Sequence, residues 1–320
     1  MKLIDMHCDT VGKILDLGKQ GDFASNLCSI NIQEMKKANS LAQFFACFTY
    51  LGDYIENGGY EKCYEHALEM ISFIEKQTEI YANDIAIAKS YEDICINSDA
   101  KKLSAVITIE EGGILNGKMD RLDTLYKKGA RLMTLMWNYE NCLGYPNSKE
   151  SDMMKKGLKP FGIDVVKRMG ELGMIVDVSH ASDGSFWDII NHAKGPVAAS
   201  HSNCRSLCNH PRNLSDEMIK ALAEKGGVSG LNLYGAFLGT ATQSRIDEMA
   251  AHVLHMIRVG GTEFPAIGTD FDGFRGMDYM EIPMLSDMEK LWDYLKKKGL
   301  TENQLEKIWS GNILRILKEI

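Results

Sequence analysis

Eight short apolar runs, most of them rich in β-branched residues, recur along the chain with longer helical stretches between them. That alternation limits the fold more than any other feature. The runs are KLIDM (2–6), AQFFACFT (42–49), SAVITIE (104–110), RLMTLM (131–136), MIVDVS (174–179), PVAAS (196–200), GVSGLNL (227–233) and PAIGT (265–269). Short continuous apolar runs bounded by turn signals read as buried strands, because both faces of a parallel sheet are covered. The stretch 59–84 places Tyr60, Tyr64, Ala67, Leu68, Ile71 and Ile74 near helical spacing. Further helices are predicted over 120–129, 162–173, 183–193, 215–226 and 245–260. Ser215 suits an N-cap, and Gly129, Gly173 and Gly226 suit helix stops. Eight buried strands alternating with helices fit an α/β (β/α)8 barrel of the TIM type better than an open sheet, as a single domain over residues 1–320. The segments 49–60 and 138–161 are predicted as long irregular excursions. Both follow a strand, on the barrel face where loops build active sites.

Composition excludes several classes of function. With 36 basic and 44 acidic residues the net charge is −8, and no basic stripe stands out, which argues against a nucleic-acid partner. Ionisable residues appear too early at the N-terminus for a signal-peptide apolar region, and no apolar run approaches membrane-span length. ILRILKEI at the C-terminus reads as an amphipathic helix without a lipid-anchor tail. The eight cysteines are scattered and form no CxxC pair; CRSLC (204–208) is the one close spacing, read as two unrelated small residues. Reduced thiols in a cytoplasmic protein without a membrane partner are expected.

The chemistry gathers at the strand ends. Strand one runs into His7-x-Asp9, and residues two apart on a strand share a face, with Cys8 between them turned away. Strand three ends in Glu110-Glu111-Gly112-Gly113, strand five in His180, strand six in His201, and strand eight in Asp270 and Asp272. Of the eight histidines, three stand at strand ends; the other five (66, 192, 210, 252, 255) fall in helices or loops. A barrel brings such ends to one mouth, where imidazole nitrogen and carboxylate oxygen suit borderline and hard cations. Five such groups exceed the needs of one tetrahedral ion and fit two ions with a bridging carboxylate. Adjacent strand residues point oppositely, so Glu110 and Glu111 cannot both face the mouth. The glycine pair after Glu111 lets the backbone pass a crowded centre, which favours Glu111 as the bridge. Asp270 then reads as a proton shuttle.

In that order, IDMHCDT, EEGG, DVSH, ASHSN followed by HPRNLSDEM, and IGTDFDG resemble the membrane (renal) dipeptidase family, zinc metallopeptidases of the amidohydrolase superfamily. The resemblance spans nearly the whole chain. It implies a barrel with two zinc ions per chain, other divalent first-row ions being able to substitute. His7, Asp9 and Glu111 would hold one ion, and Glu111, His180 and His201 the other. A hydroxide bridging them would attack the peptide carbonyl of L-Xaa-D-Xaa or L-Xaa-L-Xaa dipeptides, with Glu111 and Asp270 as catalytic groups. Arg212, in HPRN, matches the arginine that pairs with the substrate's terminal carboxylate, and Tyr234 matches a pocket-lining position. The pattern departs after strand four: Trp137 stands where the best-known members carry a histidine that polarises the carbonyl, and Asn138 beside it offers an amide donor. A homodimer is expected by analogy with relatives.

Two other readings compete. Another amidohydrolase, acting on a cyclic amide or as a deaminase, would bridge through a carboxylated lysine or use one metal, and no strand end offers a lysine at a comparable place. A catalytically idle metal-binding barrel is favoured only by Trp137.

Overall fold

The computed structural model describes residues 1–16 and 21–319. Each of the eight apolar runs forms a strand, and all pair in parallel. β1 (Leu3–Cys8) lies between β2 (Ser40–Phe48) and β8 (Pro265–Ile267). The ring continues through β7 (Val228–Leu231), β6 (Val197–Ala199), β5 (Ile175–Asp177), β4 (Ala130–Thr134) and β3 (Leu103–Glu110). It closes where β3 pairs with β2, in unbroken register from Ala42↔Ser104 to Phe48↔Glu110. The result is a closed (β/α)8 barrel.

The residues separate into an inside and an outside by strand alternation. One apolar cluster draws Ile4, Met6, Ala42, Phe44, Val106, Leu132, Ile175, Ala198, Val228 and Ala266 from all eight strands, as only a barrel interior can. Ala105, Ile107 and Ile109 belong instead to the larger cluster between barrel and helices. The C-terminal helix Asn312–Leu317 adds Ile313, Ile316 and Leu317 to the inner cluster. Its Asn312 amide donates to the carbonyls of Thr262 and Pro265, so this helix caps the amino-terminal mouth of the barrel and leaves the other mouth for chemistry.

The predicted helices form over Tyr60–Ile80, Met119–Lys127, Pro160–Leu172, Asp183–His192, Asp216–Glu224 and Ile246–Gly260. Ser215 caps its helix by accepting from the Met218 N–H. Gly129, Gly173 and Gly226 adopt φ of 107°, 71° and 81°, the left-handed conformation that ends a helix. Two elements escaped the pattern between β2 and β3. A short strand, Ile85–Ile87, pairs with the first half of β3, and a helix, Tyr91–Asp99, follows it behind the Ser90 N-cap. Only Ile94 and Asn97 of that helix are buried, too few for a visible apolar stripe. The eight cysteines form no disulfide, and Cys8 is buried in the outer cluster. Among the described residues no helix is long and apolar enough to cross a membrane.

Candidate active site

On β1 the alternation breaks where it matters. Asp5 pairs with Gln43 and Cys8 with Phe45, so three steps of β1 run against two of β2. Such an irregularity re-aims side chains. Ile4 and Met6 fill the barrel, Cys8 packs outside, and His7 joins the group at the mouth. Asp9 follows, its N–H bonded to the Phe271 carbonyl at 2.9 Å, which ties the ends of β1 and β8 together.

Strand three corrects the sequence reading. Val106 lies in the barrel cluster, so alternation turns Thr108 and Glu110 inward as well. Glu110 is the carboxylate facing the histidines: its Oε2 lies 3.3 Å from His7 Nε2, and its Oε1 lies 3.2 Å from His180 Nε2 and 3.8 Å from His201 Nε2. Glu111 leaves the strand with φ of 84°, in the left-handed region, and turns away. Its buried carboxylate accepts from the N–H groups of Gly113 and Trp137 and from the Asn141 amide, at 2.8, 3.1 and 2.6 Å. The glycine pair therefore serves the turn that seats Glu111 and carries no information about which glutamate faces the mouth. A Cβ at Gly113 would meet a Glu111 carboxylate oxygen at 2.4 Å.

His180 and His201 present their Nε2 atoms to each other at 3.1 Å. Ser200 Oγ donates to Asp177 Oδ2 at 2.6 Å and so accepts from His201 Nδ1 at 2.7 Å. His180 Nδ1 likewise donates to Asn138 Oδ1 at 3.1 Å. With both Nδ1 atoms occupied as donors, both Nε2 lone pairs face the centre, the tautomer a metal ligand needs. Burial, with Arg212 and His7 nearby, holds both rings well below the usual histidine range and hence neutral.

The carboxylates behave oppositely. Burial pushes Glu110 up to about 7 and Asp270 up to about 6, against the pull of His7, with Asp9 adding to the rise. His7 is held well above its usual value: burial opposes this, but Glu110 and Asp9 outweigh it. Asp9 Oδ1 and both His7 ring nitrogens have no hydrogen-bond partner among the described residues. Asp9, Glu110 and Asp270 thus crowd one buried imidazole at 3.4, 3.3 and 3.9 Å, an arrangement that calls for added positive charge. Three donor sets among the described residues fit cations, His7–Asp9–Glu110, Glu110–His180–His201 and His7–His201–Asp270, and Glu110 joins the first two.

Asp270 stands at φ of 60°, with its N–H on the His7 carbonyl and its Oδ2 held by the Asn232 amide at 2.8 Å, which leaves Oδ1 toward the centre. A Cβ at Gly273 would come within 2.2 Å of Asp9 Oδ2 and 2.5 Å of Asp270 Oδ1, so a side chain there would displace both carboxylates. Asp272 is turned away, bound to Thr10, Lys13 and the Ser29 N–H.

A cavity of about 840 Å³ opens over this centre, and Trp137, Asn138 and Tyr234 line it. Trp137 packs against Phe48 and Tyr50 at ring-centroid distances of 5.0 and 5.5 Å, and Tyr234 stacks on Phe274. Asn138 does something the sequence did not suggest: its amide oxygen orients His180. Arg212 is buried behind His201, donating to the His201 carbonyl and to Ser202 Oγ, both at 3.2 Å, while its Nε has no partner among the described residues. Burial lowers it only to about 10, so it stays charged. Sequence reasoning missed Glu110 as the inward carboxylate, although strand alternation carried the signal. It also missed Asp177, Ser200 and Asn138 as the groups that orient the histidines, for which the sequence offers none.

A family model described as membrane dipeptidase (peptidase family M19) matches residues 1–320. An uncharacterised protein of Klebsiella pneumoniae from the pqqA 5′ region is 32% identical over 249 residues, covering 75% of this chain and 90% of that one. An uncharacterised dipeptidase of Schizosaccharomyces pombe is 29% identical over 317 residues, covering 93% and 74%. Among solved structures, a metallopeptidase from Rhodobacter sphaeroides liganded with a phosphinate mimic of L-Ala-D-Ala superimposes with a TM-score of 0.88 at 19% identity, covering 100% of this chain and 99% of that one. The probable dipeptidase PvdM of Pseudomonas aeruginosa gives 0.83 at 18% identity, covering 92% and 90%.

Proposed function

Because the chain belongs to the membrane dipeptidase family, peptidase family M19, and is thus a metallo-dipeptidase, we propose that it works with two divalent ions, zinc by preference, bridged by Glu110. Its substrates are dipeptides with a free terminal carboxylate, L-Xaa-L-Xaa and L-Xaa-D-Xaa. The observation that carries this reading is Glu110, with one oxygen toward His7 and the other toward His180 and His201. His7 and Asp9 complete one ion's donor set, and His180 and His201 the other's. Bound there, the ions would supply a water ionised near neutral pH and polarise the scissile carbonyl.

The remaining steps belong to the protein. Asp270 Oδ1 accepts the proton of the attacking water and returns it to the leaving amine. The Asn232 amide on Oδ2 fixes its orientation. Arg212 receives the substrate's terminal carboxylate through a permanently charged planar fork. Asn138, Ser200 and Asp177 keep the His180 and His201 lone pairs aimed, and Trp137 with Tyr234 walls the cavity over the reacting bond.

The test is amine release by the zinc-loaded protein from L,L and L,D dipeptides, with N-acetylated and C-amidated controls. Hydrolysis of the free dipeptides, abolished by amidation, is expected. No turnover of any of them by a protein holding two ions per chain would refute the assignment.

A further inference from the structure

Beside the catalytic centre lies a second cavity of about 460 Å³, and His180, Asn138 and Phe237 line both it and the main one. Its wall carries Arg212, His210 and Lys149, and no aspartate or glutamate lines it. The main cavity is mainly acidic, with Asp9, Asp16, Asp53, Glu110, Asp270 and Asp272 along it against Lys13 and Arg275. The two adjoining cavities therefore differ in charge.

The positive cavity holds more than one carboxylate requires. Arg212 is buried, its guanidinium stacked over Phe237 at 5.2 Å, with Nε unpartnered. His210 Nδ1 accepts the Arg212 N–H at 3.1 Å, so Nε2 carries this ring's hydrogen and is a donor. Burial and the neighbouring cations Arg212, Lys149 and Arg205 hold His210 down at about 4, so at neutral pH this donor is uncharged. Arg205 is already bound through both amino groups to Asp183, whereas Lys149 makes no ion pair among the described residues. A terminal carboxylate on Arg212 leaves the Lys149 ammonium and the His210 N–H without a partner in a pocket free of acids.

Resting on the dipeptidase reading, we propose that this enzyme favours dipeptides whose C-terminal residue is itself acidic, aspartate or glutamate. Arg212 takes the α-carboxylate, and Lys149 with His210 takes the side-chain carboxylate. Lys149 and His210 are then specificity residues and have no part in bond cleavage. Like charge at this wall also disfavours a C-terminal lysine or arginine.

The experiment compares kcat/KM of the zinc-loaded enzyme on Ala-Glu and Ala-Asp against Ala-Gln, Ala-Asn and Ala-Ala, each with an L and a D second residue. Lys149 is exposed to solvent, so the expected preference for acid over amide is about twofold to fivefold, carried by KM and weakened by salt. In Lys149→Met the preference shrinks while turnover of Ala-Ala is unchanged. Calorimetry of Ala-Glu and Ala-Gln on zinc-loaded Asp270→Asn reads the same difference in binding without turnover. Equal rates for acid and amide substrates, or a Lys149→Met effect the same on both, overturn the inference and leave the dipeptidase reading standing. Hydrolysis of none of the dipeptides overturns both.

Discussion

Replacing Glu111 by glutamine distinguishes the roles of the two adjacent glutamates. The Glu111 carboxylate accepts three hydrogen bonds in the interior: Gly113 N–H and the Asn141 amide on Oε1, and Trp137 N–H on Oε2. Glutamine keeps one acceptor oxygen, which can serve the first two. Its amide group then faces the Trp137 N–H, donor against donor, so two buried donors lose their partners. Each costs about 1–3 kcal/mol, which sums to roughly 2–6 kcal/mol. Burial already pushes the Glu111 carboxyl up to about 7, so its charged form is itself penalised at neutral pH. The expected loss therefore lies in the lower part of the range, about 2–3 kcal/mol. For a chain of this size that is roughly 3–5 °C in Tm. Urea unfolding of metal-free wild type and Glu111→Gln at pH 7.5 measures the loss apart from any contribution of bound ions, and the folded variant should still take up zinc in the wild-type ratio. Stability equal to wild type would refute the hydrogen-bond argument. Loss of zinc uptake would refute the placement of Glu111 outside the centre.

Asp270→Asn should lower kcat by about 10²-fold or more with zinc content unchanged, as expected when a proton carrier is removed; activity within about threefold of wild type would end that role. Arg212→Met should reduce kcat/KM on free dipeptides by about 10- to 100-fold and erase discrimination between free and amidated substrates; retained discrimination would place carboxylate recognition elsewhere. His252 is buried between the Cys204 N–H and the Leu238 carbonyl, and burial holds it down at about 4. A group whose pKa falls on folding gives its full stability above the unfolded value near 6.5 and loses it as pH falls toward 4. Metal-free protein should thus lose about 2 kcal/mol from this residue between pH 7 and pH 5. His252→Gln should show a correspondingly flatter pH profile in urea titrations, and identical slopes would contradict the assignment.

The barrel was legible because each of its strands is apolar on both faces and each is followed by a recognisable helix or loop. The mouth was legible for the same reason: His7, Asp9, His180, His201 and Asp270 are polar residues that end apolar runs. The choice between Glu110 and Glu111 needed the parity of β3, in which Val106 faces the barrel interior and commits Glu110 to the same side. The glycines that argued for Glu111 shape the turn beyond it. Strict parity would have failed on β1, where an extra residue between Asp5 and Cys8 turns His7 inward, and nothing in LIDMHCDT announces that irregularity. The orienting contacts of Asn138, Ser200 and Asp177 join residues from different strands and loops, so they appear only when the ring closes.

Anomalous scattering from zinc-soaked crystals would show directly whether Glu110 bridges a two-ion centre. Two peaks roughly 3.5–4 Å apart are expected, one contacted by His7, Asp9 and Glu110 and the other by Glu110, His180 and His201. A single peak, or a pair bridged by any group other than Glu110, would contradict that arrangement.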